Sequence, residues 1–280
     1  MKFGINTLIW SVEYDSTVEA MLPLIKQNGF DGVEIPVFSP STFDPAPFRR
    51  AVESHSLEVN ACTVIPQGSS LGDSDANSRQ AARRHVEEVI KAVADADGKI
   101  LAGPIFTPVG YLPGRRRTSD EWRYAAEELH SLGDTAQRNG IRLAIEPLNR
   151  FETYFLNTAA DGAALCDLVN HPAVGILFDT FHANIEEKDI AAGYRTLGRH
   201  LFHVHTCEND RGIPGSGHVE WPAVFQALRD LNYDGWLTIE SFGFAIKEIA
   251  AAACIWRDIE LTPEAIAFEG IKFLRANWPG

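Results

Sequence analysis

The rhythm of the chain constrains its fold most. Short apolar runs alternate with longer amphipathic segments, eight times over 280 residues. The predicted strands are Lys2–Asn6, Gly32–Ile35, Leu57–Val64, Lys99–Gly103, Ile141–Glu146, Val174–Asp179, Leu201–His205 and Trp236–Glu240. Between them, helical patterns are predicted at Thr17–Asn28, Pro45–His55, Asp75–Asp97, Thr118–Asn139, Thr158–Val169, Ile185–Leu197 and Trp221–Leu231. Two more follow the last strand, at Ala245–Asp258 and Pro263–Ala276. Such alternation calls for a parallel sheet with crossover helices. Eight units in this length point to a closed (β/α)8 TIM barrel: one α/β domain over residues 1–280, with an extra C-terminal helical segment. No G-x-G-x-x-G follows the first strand, so an open dinucleotide-binding sheet lacks its main signal.

The last four strands finish in a pattern of their own. They end on Glu146, Asp179, His205 and Glu240. In a closed parallel barrel the C-terminal strand ends share one rim, and these four staves are consecutive. Three carboxylates and one imidazole therefore converge. One acid at a strand end is usually the edge of a loop; four at equivalent positions are not explained that way. Packed together in a partly buried mouth, the acids could not all stay ionised. A divalent cation removes the conflict. Oxygen ligands plus one imidazole suit Mn²⁺, Co²⁺ or Mg²⁺, and Zn²⁺ also accepts such a set. His203 lies two residues before His205 and faces the same way. His205, nearer the rim, is read as the ligand, and His203 as a core or supporting histidine.

The charge balance separates the function classes. With 25 basic against 38 acidic residues the net charge is −13, the wrong sign for gripping a nucleic acid backbone or an anionic membrane. No apolar run approaches a membrane span, and Met1–Asn6 has no secretory character, so a soluble cytoplasmic protein is expected. The four cysteines, Cys62, Cys166, Cys207 and Cys254, form no C-x-x-C pair and are read as free buried thiols.

The chain resembles the D-tagatose 3-epimerase and D-psicose (D-allulose) 3-epimerase group of the xylose-isomerase-like barrels. The resemblance is carried by Glu146-Pro-Leu-Asn-Arg-Phe-Glu152, Phe178-Asp-Thr-Phe-His182-Ala-Asn-Ile-Glu-Glu187 and His205-Thr-Cys-Glu-Asn-Asp-Arg211. Gly215-Ser-Gly-His218 and Gly235-Trp-Leu-Thr-Ile-Glu240-Ser-Phe242 complete it. The resemblance implies one divalent metal per subunit, Mn²⁺ or Co²⁺ before Mg²⁺, held by Glu146, Asp179, His205 and Glu240. It implies that Glu146 and Glu240 are the catalytic pair, exchanging the C3 proton of a free ketose through a cis-enediolate. Glu152, His182 and Arg211 match groups that hydrogen-bond the ketose, and Phe242 matches an apolar pocket residue. Asn6 stands where members carry an aromatic, and Phe106 where some carry a larger one; both are placed in the pocket. The loop Tyr111–Thr118 resembles the group's basic loop, its arginines read as structural or interfacial. A homodimer or homotetramer is implied, with Trp256 and Trp278 as interface or core aromatics.

Other reactions share this metal site. Sugar or hydroxypyruvate isomerisation and keto-sugar dehydration differ only in which carbon receives the proton. Metal-dependent cleavage of damaged DNA on a related barrel would ask for more histidines and a basic face. A sugar-binding module would not need both Glu146 and Glu240.

Overall fold

The computed structural model describes residues 1–242 and 246–278. Eight parallel strands close into a barrel in chain order, the last pairing with the first. They are β1 (Lys2–Asn6), β2 (Gly32–Pro36), β3 (Glu58–Cys62), β4 (Ile100–Gly103), β5 (Arg142–Ile145), β6 (Val174–Asp179), β7 (Leu201–His205) and β8 (Trp236–Ile239). The helices around them are α1 (Ser16–Gln27), α2 (Pro45–Ser54), α3 (Ala76–Asp95), α4 (Ser119–Arg138), α5 (Ala159–Val169), α6 (Thr180–Glu186), α7 (Ile190–Leu197), α8 (Trp221–Asp230), α9 (Lys247–Ala252) and α10 (Pro263–Asn277). The TIM barrel expected from the alternation is the observed fold, with the extra C-terminal helix α10 after it.

Local chemistry accounts for the helix starts. Asp15 caps α1 by accepting from the N–H groups of Thr17 and Val18. Thr118 and Glu121 form a reciprocal capping box at α4, which satisfies two N–H groups that the first turn would leave bare. The strands bury both faces, as a parallel sheet under helices requires. Beneath the rim the barrel is plugged by Ile100, Ala102, Ala144, Leu177, Phe202 and Trp236. Ala144 and Leu177 lie two residues before Glu146 and Asp179, on the same side of their strands, so an apolar floor sits directly under the acids.

Some boundaries differ from expectation. The expected helix Ile185–Leu197 is two helices, α6 and α7, parted by Glu187–Asp189. Asp179 explains the early start, because its carboxylate accepts from Phe181 N–H and so caps α6 the moment β6 ends. The expected helix Ala245–Asp258 is only α9, and its first residue, Ala245, lies outside the described residues. Three cysteines are buried, but Cys254 is exposed, just past the end of α9. Trp256 is exposed and Trp278 packs edge-on against Phe225. The arginines of the 111–118 loop hold that loop down: Arg115 forms two bonds to Glu121, and Arg117 pairs with Asp161 over the Trp122 ring. Among the described residues no helix is long and apolar enough to cross a membrane.

Gly103 closes β4 with φ +125°, and a Cβ there would run into the Thr63 carbonyl oxygen. Its own carbonyl accepts from Glu146 N–H at 2.9 Å, which ties it to the rim. Gly103→Ala is expected to cost roughly 3 kcal/mol through backbone strain and overpacking, measured by urea unfolding.

Candidate metal and active site

The strand register brings the four expected ligands together. Asp179 pairs with His205 across β6 and β7, and His205 with Thr238 of β8, two residues before Glu240. Glu146 follows β5 directly. One ligand atom from each of Glu146, Asp179, His205 and Glu240 can be chosen so that all lie within 4.8 Å of one another, and all four residues are buried. His205 Nδ1 stands 3.4 Å from Glu240 Oε2 and 3.9 Å from Glu146 Oε1.

The fit to a cation is tested by what the protein leaves unsatisfied. Glu146 Oε1 and His205 Nδ1 are both buried without a hydrogen-bond partner. A buried unpaired acceptor is costly unless something not made of protein completes it. The electrostatics agree. Burial, with the Glu240 charge adding to it, drives the Glu146 carboxyl well above the usual carboxylate range. Burial also raises Asp179. Burial pushes Glu240 up too, but the His205 imidazolium and then Arg211 outweigh it and hold Glu240 below its ordinary value. His205 is driven well above its ordinary value, since Glu34 and Glu240 overcome the effect of its burial. An acid held neutral beside an ionised one is what three crowded carboxylates do without a cation. The donor set, three carboxylates and one imidazole, fits a divalent ion that prefers oxygen.

Around this cluster the protein gathers hydrogen-bond donors. Arg211 Nη1 donates to Glu240 Oε2 at 2.9 Å and reaches Asp179 Oδ2 at 3.4 Å. Its guanidinium lies over the rings of Phe181 and Phe242. Arg211 itself has φ +65°, a left-handed backbone unusual for a large side chain. The Ser241 hydroxyl donates to its carbonyl at 2.6 Å and so helps to hold that turn. His182, on α6, accepts the Asn149 N–H on Nδ1 at 3.1 Å. Burial keeps this imidazole neutral, far below its ordinary value. Its proton therefore sits on Nε2, 3.6 Å from Glu146 Oε1 and 3.2 Å from Arg211 Nη2. Glu152 accepts from Asn149 Nδ2 at 2.7 Å, and burial raises its carboxyl above the ordinary value.

These groups form the base of a cavity of about 440 Å³ at the C-terminal mouth of the barrel. Glu146, Glu152, His182, Arg211 and Glu240 line its polar end, and Phe242, Leu8, Ile65 and Ile249 its apolar wall. A larger groove, about 580 Å³, lies between surface loops beside Arg115 and Tyr154; none of the four strand-end ligands lines it.

Two pocket expectations are corrected. Phe106 is fully buried and stacks on Phe155, with ring centroids 5.2 Å apart, and it does not line the cavity. Asn6 also does not line the cavity; its Nδ2 donates to Glu34 Oε1 at 2.7 Å and to Glu240 Oε1 at 3.2 Å. Sequence reasoning missed Glu34. It sits in the middle of β2, fully buried, and accepts from both His203 and His205. The signal was there: an acid inside the apolar run Gly-Val-Glu-Ile-Pro demands a partner as much as Glu146 does. Glu208 was missed as well. It accepts from the N–H groups of Asn209, Gly215 and Val219 and from the Trp221 indole, which knits the loop that carries Arg211.

Known proteins match this architecture. The model of the xylose isomerase-like TIM barrel family matches residues 22–277. A probable ketose 3-epimerase of Synechocystis sp. is 38% identical over 278 residues, covering 99% of this chain and 97% of that protein. A D-psicose 3-epimerase of Agrobacterium fabrum is 31% identical, covering 92% and 91%. The crystal structure of D-allulose 3-epimerase from Methylomonas sp. in complex with D-allulose superposes with a TM-score of 0.94 at 26% identity, covering 99% and 97%.

Proposed function

The chain belongs to the ketose 3-epimerases of the xylose isomerase-like TIM barrel family, and from that premise we propose that it inverts C3 of a free ketose with Glu146 and Glu240 as the exchanging pair. The observation that carries this reading is geometric: two buried glutamates, Glu146 and Glu240, meet Asp179 and His205 at one rim and both line the cavity above it. Inversion by two groups needs one acid and one base at the start of each turnover. A divalent cation bound by Glu146, Asp179, His205 and Glu240 would supply positive charge beside the C2 carbonyl and C3 hydroxyl oxygens and so acidify the C3–H bond.

The rest is work for side chains. One glutamate removes the C3 proton; the C3–H electron pair forms the C2=C3 bond and the carbonyl π pair moves onto O2, giving a cis-enediolate. The other glutamate, on the opposite face, returns a proton to C3, and the reverse reaction exchanges their roles. Arg211 Nη2 and His182 Nε2 are two donors 3.2 Å apart, and each needs an acceptor rather than the other. A ketose oxygen at O1 or O2 meets that need and fixes the substrate's register. Glu152 takes a hydroxyl further along, and Phe242 covers an apolar edge. Among the described residues Arg211 is the one arginine or lysine lining this cavity, and Glu240 and Asp179 already claim it, which favours a free sugar over a phosphorylated one.

Glu152→Gln keeps the shape of that contact but loses its charge. A hydrogen bond to a charged group is worth about 1.5–3 kcal/mol, so kcat/KM is expected to fall about tenfold or more, mostly through KM. Steady-state kinetics on the preferred ketose checks this. The reading as a whole is tested by incubating D-fructose, D-tagatose, L-ribulose and D-xylulose with Mn²⁺- or Co²⁺-loaded protein and separating the products by chromatography. A C3 epimer from at least one free ketose supports it; turnover of ketose phosphates alone, or aldose products alone, rejects it. Mn²⁺ or Co²⁺ is the ion carried by this reading, and a dimer or tetramer the assembly, to be read by metal analysis and by light scattering.

A further inference from the structure

The proposed proton exchange gives no task to Glu34. This carboxylate lies on β2, yet its partners sit across the barrel on β7. His205 Nε2 is 2.9 Å from Oε1, and His203 Nε2 is 2.8 Å from Oε2. Asn6, its register partner on β1, donates to Oε1 at 2.7 Å and carries the same network on to Glu240. All four side chains are buried. Glu34 is fully buried, and its two oxygens are met by Asn6, His203 and His205.

An imidazole that binds a cation does so in its neutral form, with one N–H and one lone pair. If Nε2 of His205 donates to Glu34, the lone pair is on Nδ1. That nitrogen has no protein partner and faces Glu240 and Glu146. We propose that Glu34 is a positioning residue: by accepting from His205 Nε2 it selects the tautomer and ring orientation that leave Nδ1 as the metal ligand. The inference rests on the metal reading of the four strand-end residues. His203 and Asn6 have a part in it, since they hold the second oxygen and the flank of Glu34 and keep the carboxylate from turning away. Glu34 does not line the cavity; in this proposal it acts through His205. Outer carboxylates of this kind commonly contribute 10–100-fold in metal affinity.

Two measurements test it. In wild-type protein labelled with ¹⁵N-histidine and loaded with diamagnetic Zn²⁺, His205 is expected to show a proton coupled to Nε2 and none on Nδ1. A proton on Nδ1, with Nε2 facing the ion, overturns the proposal without any variant being made. In the second, Mn²⁺ affinity is compared for the wild type and Glu34→Ala by competition with a chromophoric chelator. The expected fall is about 10–100-fold for the folded variant, whose fold is verified by near-UV circular dichroism. A role confined to packing would lower the melting temperature and leave the affinity of the folded protein unchanged, and that result rejects the proposal. A wild type with no one-to-one Mn²⁺ site rejects the metal reading itself and this proposal with it.

Discussion

Glu240→Gln is expected to abolish epimerisation and to stop exchange of the C3 proton with solvent from the epimer whose proton Glu240 removes. The substitution is nearly isosteric, and Arg211 can still donate to the remaining amide oxygen in place of Oε2. What disappears is a charge and a basic atom. Loss of general-base action costs roughly 10²–10⁴-fold, and the weakened ion site adds to it. Glu146→Gln is expected to do the same for net inversion. The two variants separate if substrate is supplied as each epimer in turn, because each glutamate is the base for one direction. Solvent deuterium entering C3 of both epimers at near the parent rate in Glu240→Gln would show that its carboxylate is not a base.

Removing the ion is the second large effect. Dialysis against a chelator is expected to take turnover to background, with recovery on adding Mn²⁺ or Co²⁺. Stability should follow, because the apo site confines Glu146, Asp179 and Glu240 around two unpartnered polar atoms. An ion at a hundredfold excess over its Kd adds about 2.7 kcal/mol by linkage alone. For a chain of this size that shifts the melting temperature by roughly 5–10 °C. A sugar-binding module would behave differently, retaining its ligand without metal. Ketose binding that is indifferent to the chelator, with no thermal shift, would count against a catalytic metal.

The four-residue cluster was legible in the sequence because barrel closure converts strand order into proximity. Glu146, Asp179, His205 and Glu240 each interrupt an apolar run at its last residue, and consecutive staves can only bring such ends to one rim. Glu34 obeys the same logic but was passed over, since a single acid on an early strand has no neighbour in sequence to mark it. Its partners, His203 and His205, are 169 and 171 residues away. Only the closed barrel reveals that they face each other. Asp179 concealed a different feature: the carboxylate that ends β6 also caps α6, so a strand end and a helix start occupy one residue. Reading it only as a strand end pushed the predicted helix five residues late. Phe106 misled for another reason. Its side chain turns into the packing against Phe155, and no periodicity within the Gly- and Pro-rich loop after β4 discloses that.

The apolar floor under the site is the structural counterpart of the proposed chemistry. Ala144 and Leu177, one pleat below Glu146 and Asp179, keep water from beneath these two acids, so they interact more strongly than they would in solvent. An ion in the site would satisfy the unpartnered atoms of Glu146 and His205 together.

One measurement tests the account most directly. A free ketose that the enzyme turns over is incubated in D₂O with the Mn²⁺-loaded protein, and the isolated products are examined by NMR. The account predicts a C3 epimer carrying deuterium at C3 and hydrogen at C1. Deuterium at C1, or label at C2 of a newly formed aldose, would contradict it and make the enzyme an isomerase.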